Sequence, residues 1–463
     1  MIALLLFFIL LLPGCYKVPI AQEFNRLKRT TKEITGSEII YDSYNKYPDM
    51  ECTIRATITN GLSRNEAVKT ALMNNPSLQA DFAKLGIAKA DLIQAGLYTN
   101  PQTQNVFRFP TASQGPGTAQ TNIESITTGK LSDLWQVPLR KRIFEDELEI
   151  ITLRILTGIL DIVENTKSAY DACVKVDLQL ENEKIILSFT KELREEIYYR
   201  QGFGYSNDLD KYNVDAQVAI VQTAITEYEK ERKRAYLHLT QLLGITPSSK
   251  EIILTDTILD SITIPSLSDL ESYALEYRPE MQIARYKIKR YEDTIRFEKA
   301  SVWKDVNIGI GFKQDFDKPF RGWGPAINFE IPLFDTNYAQ IAKAEFEFER
   351  AKKKLRYRKI IIQEELRKEL TAVHKEKREI AYYNTFIIPS YEKAIDYTYT
   401  YANTMQLNML TALESQLTLY KAEQELIEKY YNLHIAFNKL ERAYGKNIEP
   451  YEFANHEISC INA

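Results

Sequence analysis

The chain has 463 residues, with 59 basic against 63 acidic side chains and a net charge of −4. That near balance excludes the electrostatic footprint of a nucleic-acid binder, and 44% hydrophobic against 26% charged residues excludes a disordered chain. Gly and Pro are scarce, at 17 and 16, as in a chain held mainly in long helices. No apolar run of helical membrane-spanning length follows the N-terminus, so a membrane crossing by the mature protein has to be a closed β-barrel.

Residues 1–14, MIALLLFFILLLPG, are an apolar h-region set directly before Cys15. No Lys or Arg precedes the run. The arrangement resembles a bacterial lipoprotein signal peptide, in which cleavage precedes the cysteine and the cysteine is acylated. Each buried CH₂ of such a chain contributes about 0.8 kcal/mol, so several chains anchor firmly. Tyr16 in place of Asp after the cysteine points to outer-membrane sorting. The alternative is a plain export signal with an incidental cysteine. Of the other cysteines, Cys173 lies in a helical pattern and is expected to be buried, while Cys52 and Cys460 flank the helical segments and are candidates for a bridge.

After a leader at 15–61, a helix is expected from LSRNEAVKTALMNN, with Ser63 as N-cap and Glu66 completing a capping box. Leu78, Phe82, Leu85, Ala88 and Leu92 continue one apolar stripe, and Pro76 marks a kink or break. Past Asn100-Pro101, TQNVFRF alternates as a half-buried strand, a Gly/Pro/Ser/Thr loop follows, and NIESITTGKLSDLW reads as a second strand. QVPL opens a long helix, Pro138 to Arg200. It turns at QGFGYSND and returns to LLG at Gly244. A linker at 251–265 carries a possible short strand.

The second half repeats the first, with Pro279 falling on Pro76 and Phe312 on Phe109 at one constant offset. VNIGIGFKQ and GPAINFEI read as strands around the loop DFDKPFRGW, and PL again opens a helix. That helix runs from Leu333 to Ile388 without Pro or Gly, reaches a polar tip at Asn403 to Asn408, and returns to Gly445. The repeats are thus 62–250 and 266–446, each a short helix, a β-hairpin and a long helical hairpin, with a tail at 447–463. Strands of roughly 9 to 12 residues suit a tilted membrane crossing. Four of them cannot close a barrel alone, and an open edge is forbidden in lipid, so closure demands several copies. Trp135, Trp303 and Trp323 are placed at strand ends, where interfacial aromatics belong; ordinary packing is the other explanation.

EAVKTALMNNPSL, AGLYTNPQ before the first strand, the IPLFD junction, a Y-x-x-G tip from Tyr199 to Gly202 followed by Ser206 and Asp208, and LESQLTLYKAEQEL occur in this order and spacing. From about Leu62 to Gly445 the chain thereby resembles the TolC family of outer-membrane efflux ducts. The resemblance implies a mainly α protein with a transmembrane β-barrel portion. Three protomers would give four strands each to a trimeric 12-stranded barrel on an α-helical periplasmic tunnel, with each pair of shorter helices stacked beside a long one. It also implies a passive duct without cofactor, lipid-anchored in the outer membrane. The implied partners are two further copies, a periplasmic adaptor protein, an inner-membrane pump and outer-membrane lipid.

The implied docking or gating tips hold Gly202, Ser206 and Asp208 on one side and Met405, Leu407 and Glu414 on the other. An N-cap role explains Asp208 equally well. The family often places two acidic residues three apart on the second return helix; here Glu414 stands at one position and Thr411 at the other. Leu407 stands where a gating Arg occurs in the best-known member, and Met405 where Gly is usual. A lumen ring of Glu414 carboxylates would favour cations, and a solvated surface Glu is the bland reading.

Little speaks for an enzyme. His238, His374, His434 and His456 are scattered, and no Gly-rich phosphate loop, nucleophile elbow or Cys-x-x-Cys occurs. His456, Glu457 and Cys460 make a small cluster in the tail. A periplasmic adaptor lipoprotein normally carries one hairpin, and a purely structural coiled coil lacks the alternating segments at 102–109 and 303–313. Cargo stays open between drugs, heavy-metal ions and a type I secretion substrate.

Overall fold

The structure, a computed structural model, describes residues 18–41, 61–109, 121–246, 252–256, 264–316, 320–404, 406–407 and 409–448. Cys15, Cys52, Met405, His456 and Cys460 lie outside these, as do the expected signal peptide and most of the expected tail. Helix α1 is Ala21–Thr35, followed by α2 (Arg64–Asn74) and α3 (Pro76–Ala95). Strands β1 (Gln102–Arg108) and β2 (Asn122–Lys130) lead into α4 (Asp133–Gly202) and α5 (Asp208–Leu242). The same order then recurs: α6 (Leu267–Tyr277), α7 (Pro279–Ala300), β3 (Asn307–Asp315), β4 (Phe320–Asn328), α8 (Tyr338–Tyr382), a π-helical turn (Tyr383–Ile387), α9 (Ile388–Asn403) and α10 (Met409–Tyr444). With 70 residues, α4 is about 105 Å long at the usual rise per residue. Among the described residues no helix is long and apolar enough to cross a membrane.

The chain divides into two compact units. One draws on the residues up to Asn25, Phe82–Arg154 and Glu280–Arg358, and it contains the sheet. All four strands are antiparallel in the order β1-β2-β3-β4, so β1 and β4 are its edges. The register sorts most of the side chains by face, with Arg321 and Gln314 among the polar exceptions on the apolar side and Val106, Ile126 and Phe320 the bulky apolar exceptions on the other. One face carries Ile308, Ile310 and Phe312 opposite Ile327, Pro325 and Trp323, continuing to Phe107 and Ile123. The other carries Arg108, Glu124, Lys313 and Asp315 with Gly309, Gly311, Gly322 and Gly324. On the polar face Arg108 Nη1 donates to Glu124 Oε2 at 3.0 Å and to Asn122 Oδ1 at 3.1 Å. Glycines on the polar face leave room for a sheet to bend towards that side.

The strand limits differ from the sequence reading at two points. β4 begins at Phe320 and takes in FRGW, a stretch that reads as loop in the sequence. β2 ends at Lys130, because the Leu131 and Ser132 amides both turn onto Val306 O and helix α4 starts at Asp133. Trp135 accordingly lies on the first turn of α4, and Trp323 lies inside β4, 82% exposed on the apolar face. Only Trp303, just before β3, keeps a strand-end position.

The second unit comprises Arg26–Asp81, Ile155–Pro279 and the residues from Lys359 on. The capping box at α2 is present, with Ser63 N donating to Glu66 Oε2 at 2.9 Å and Ser63 Oγ accepting from Glu66 N at 3.3 Å. Ser266 caps α6 in the same way through its hydroxyl. Pro76 ends α2 rather than kinking it. Asn75, left extended, accepts the Ser77 and Leu78 amides at 2.9 and 3.2 Å and so starts α3. The C-terminus of α5 docks on this break: Asn74 Nδ2 donates to Leu243 O and Gly244 O, and Asn75 Nδ2 to Leu242 O, each at 2.9 Å. Arg278 fills the corresponding break between α6 and α7 and donates to Ala443 O at 3.2 Å, at the end of α10. Different side chains thus satisfy the same orphan helix-terminal carbonyls. Around the first break, Leu62, Ala67, Ala71, Tyr170, Leu239 and Leu243 form a core that also buries Cys173.

Helix α4 is unbroken, whereas its counterpart is interrupted by the π turn and by Pro389 on the first turn of α9. Pro389 lacks the amide that would continue the α-helical ladder, and a π bulge relieves such a mismatch. The turn is pinned to α10, with Asn384 Nδ2 donating to Tyr430 OH at 3.0 Å and Tyr383 OH to the Glu425 carboxylate.

Candidate functional site

The two helical hairpins reverse at short polar tips. At the first, Gly202 is the last residue of α4, and the left-handed position of the turn is Gly204, with φ +77°. Tyr205 N donates back to Arg200 O at 2.9 Å. Ser206 is half-buried before the next helix. Asp208 is not the cap. Asn207 is, with Asp210 N donating to its Oδ1 at 2.9 Å and Asn207 N donating to Asp210 Oδ2 at 3.2 Å. An amide side chain one residue earlier reaches the third helical amide, which frees Asp208 to take Gln201 Nε2 at 2.6 Å. Around this turn Tyr199, Phe203, Tyr205, Leu209 and Tyr212 are all exposed.

At the second tip the Gln406 and Leu407 amides both donate to Tyr401 O, at 2.9 and 3.3 Å, and Leu407 is part-exposed. Glu414, on the second turn of α10, points outward beside buried Leu413, and its backbone carbonyl takes Thr418 Oγ1 at 2.7 Å. Leu413 joins Leu193, Ile197 and Val214 in a small core, so α10 packs on the first hairpin near that hairpin's tip. Among the described residues no group of His, Cys, Asp and Glu is arranged to hold a metal ion.

No family model and no curated protein matches the sequence. Solved structures do match. The transmembrane-channel protein CusC aligns with a TM-score of 0.72 at 16% identity, over 85% of this chain and 94% of its own. The outer-membrane channel OprN aligns at 0.70 and 16% identity, over 93% and 98%. The outer membrane channel CmeC of Campylobacter jejuni aligns at 0.69 and 16% identity, over 82% and 85%. The chain has the TolC-like outer-membrane-channel fold.

Within this TolC-like fold the sequence reading missed a buried polar network on α2, α4 and α10. Arg64 places Nε and Nη2 on the two Asp171 oxygens at 3.0 and 3.1 Å and also reaches Asn438 Oδ1. Asn438 Nδ2 returns to Asp171 Oδ2 at 2.9 Å, and His434 Nδ1 lies 3.4 Å from Asp171 Oδ1. Burial alone would raise the Asp171 pKa; the Arg64 and His434 charges and hydrogen bonds outweigh it and hold the carboxyl below its usual range. One turn away Lys167 Nζ meets Glu441 Oε2 at 2.7 Å and Asn447 Oδ1 at 3.1 Å. The available signal was the i, i+4 spacing of Lys167 and Asp171, facing His434 and Asn438 at the same spacing.

A second carboxylate departs the other way. Glu423 on α10 is pushed up to about 6, first by burial and then by Glu392 on α9. A carboxyl whose folded pKa exceeds its unfolded value costs stability at neutral pH, and the cost fades as pH falls through about 6 towards the ordinary value. Glu423→Gln is therefore expected to stabilise the second hairpin by about 1 kcal/mol at pH 8, after allowance for solvent screening, and to change little at pH 4. Hydrogen exchange of α9 and α10 at the two pH values reads this out. Equal protection of variant and parent at pH 8 would contradict it.

Proposed function

We propose that three copies of this chain form a passive exit duct in a bacterial outer membrane, the outer component of a tripartite efflux system. The observation that carries this reading is the four-stranded sheet, with two free edges among the described residues, most of its bulky apolar groups on one face, and its glycines and most of its charge on the other. In lipid such a sheet has to close with copies of itself, apolar face outward. The likeness to solved outer-membrane channels over most of the chain supports the same conclusion.

In this reading the sheet crosses the membrane and the helical hairpins build the periplasmic tunnel, in two tandem repeats at 62–250 and 266–446. Acylated Cys15 anchors the N-terminus, after removal of 1–14, and the remainder of 15–61 follows as leader. The tips at Gly202, Ser206 and Asp208, and at Met405, Leu407 and Glu414, dock a periplasmic adaptor that links the duct to an inner-membrane pump. The exposed aromatics around Gly204 suit such a contact. Work is done by opening a constriction, not by bond-making, and cargo choice among drugs, metal ions or a secreted protein rests with the pump.

Light scattering of the detergent-solubilised protein tests the assembly, with a protein mass of three chains expected. A mass of one chain would sink the proposal. Sensitivity of a deletion strain to divalent metals and to amphiphilic drugs then separates the cargoes.

A further inference from the structure

Where the helices meet the strands, the sheet-bearing unit leaves most of one irregular segment uncovered, which turns tightly where Leu333 N donates to Ile331 O at 2.8 Å. After β4 the chain runs to α8 through Phe329–Asn337, and Ile331, Leu333 and Phe334 are exposed there, Phe334 by 98%. Leu97 and Tyr98, just before β1, and Leu134, just after β2, are exposed as well. Among the described residues nothing covers these six apolar side chains.

The chain itself shows how such a junction is closed. Between its halves, the residues after β2 lie along those before β3. The Leu131 and Ser132 amides donate to Val306 O at 2.7 and 3.2 Å, and Ser132 Oγ donates to Lys304 O at 2.8 Å. Gln136 Nε2 donates to Trp303 O at 3.1 Å and Trp135 Nε1 to Ala300 O at 3.3 Å. This seam follows from the β2–β3 pairing, which places the end of β2 beside the start of β3. Among the described residues β4 has no following strand in the sheet, and β1 has no preceding one. Antiparallel pairing of β4 with β1 of another copy repeats the geometry and sets the residues after β4 beside those before β1. The segment before β1 is held within its own chain from the α4 side, by Arg140 on Ala95 O and Leu97 O at 2.8 and 2.9 Å and by Asp133 Oδ2 accepting Thr99 N at 2.5 Å. The side chains of Leu97 and Tyr98 stay open.

We propose that Ile331, Leu333 and Phe334 form a clasp that seats on Leu97, Tyr98 and Leu134 of the next copy, the intersubunit counterpart of the seam between the halves. The clasp rests on the trimeric reading above and adds to it. Strand pairing gives the ring its backbone hydrogen bonds, and the clasp fixes register where strands pass into helices. The contact is head-to-tail, each copy offering knob and seat on opposite sides, so the ring closes with no apolar segment left over.

The test is a Tyr98→Cys/Phe334→Cys variant of the full chain, with Cys52, Cys173 and Cys460 changed to Ser, oxidised in detergent and resolved without reductant. The clasp predicts a ladder of covalent dimers and trimers, absent in either single-cysteine chain. It also predicts that Leu333→Ser/Phe334→Ser lowers the temperature at which the assembly dissociates in SDS. Three-chain particles by light scattering that give no ladder would overturn the clasp and leave the duct standing; the belt would then belong to the membrane interface. One-chain particles from the unaltered protein would overturn both.

Discussion

Gly244→Ala is expected to destabilise the protein by about 3 kcal/mol, against about 1 kcal/mol for Gly445→Ala. Both glycines end a return helix in the left-handed region, with φ of +69° and +87°. A side chain at either position therefore meets backbone strain. The difference is what a Cβ would meet. At Gly244 it falls 2.5 Å from Asn74 O and 2.9 Å from Pro76 Cδ, both fixed by the break between α2 and α3. At Gly445 the nearest atoms belong to Arg278, at 3.6 Å or more, which is ordinary contact. Seating an alanine at 244 means withdrawing the end of α5 and losing the bonds that Asn74 and Asn75 make to its last carbonyls. Denaturant midpoints of the detergent-solubilised variants measure the difference, and equal midpoints would refute the close approach.

Arg64→Met should be comparably severe, at about 3 to 5 kcal/mol, because it strands a buried carboxylate. Asp171 loses its two-pronged partner while keeping only Asn438 and His434. Arg64→Met/Asp171→Asn removes the charge along with its partner and should recover a large part of the loss. The pair also sets a pH dependence. Asp171 has a folded pKa below its unfolded one, so its contribution is complete above the ordinary carboxylate pKa and is lost as pH falls through the lower folded value. The parent protein should therefore weaken on acidification below about pH 4, and the double variant should weaken less. A double variant as unstable as Arg64→Met would show that packing, not the ion pair, carries the site.

Local chemistry made much of the fold legible. Ser63 and Glu66 signalled their helix start because a capping box is a contact between near neighbours. The alternation in VNIGIGFKQ gave β3 because Ile308, Ile310 and Phe312 share one of its faces. Interactions between distant residues were harder to read. Arg64 looks like a solvated residue on a first helical turn, and only the fold brings Asp171 and Asn438 to it. FRGW resembles a turn by composition, yet its four residues pair with Asp315, Gln314, Lys313 and Phe312 of β3. The π turn at Tyr383–Ile387 had no signal beyond Pro389. At the tips, residue types placed the turn between the helices, but the cap fell on Asn207, a neighbour of Asp208 with the same capping propensity.

The central claim is that copies of this chain close their sheets into a pore, and the conductance of the purified protein in a planar lipid bilayer tests it most directly. Stepwise insertion of discrete channels is expected, with the steps lost when Asn105→Pro interrupts β1, a strand that carries no proline of its own. A protein that stays in solution without conducting, or whose conductance survives that proline, would contradict it.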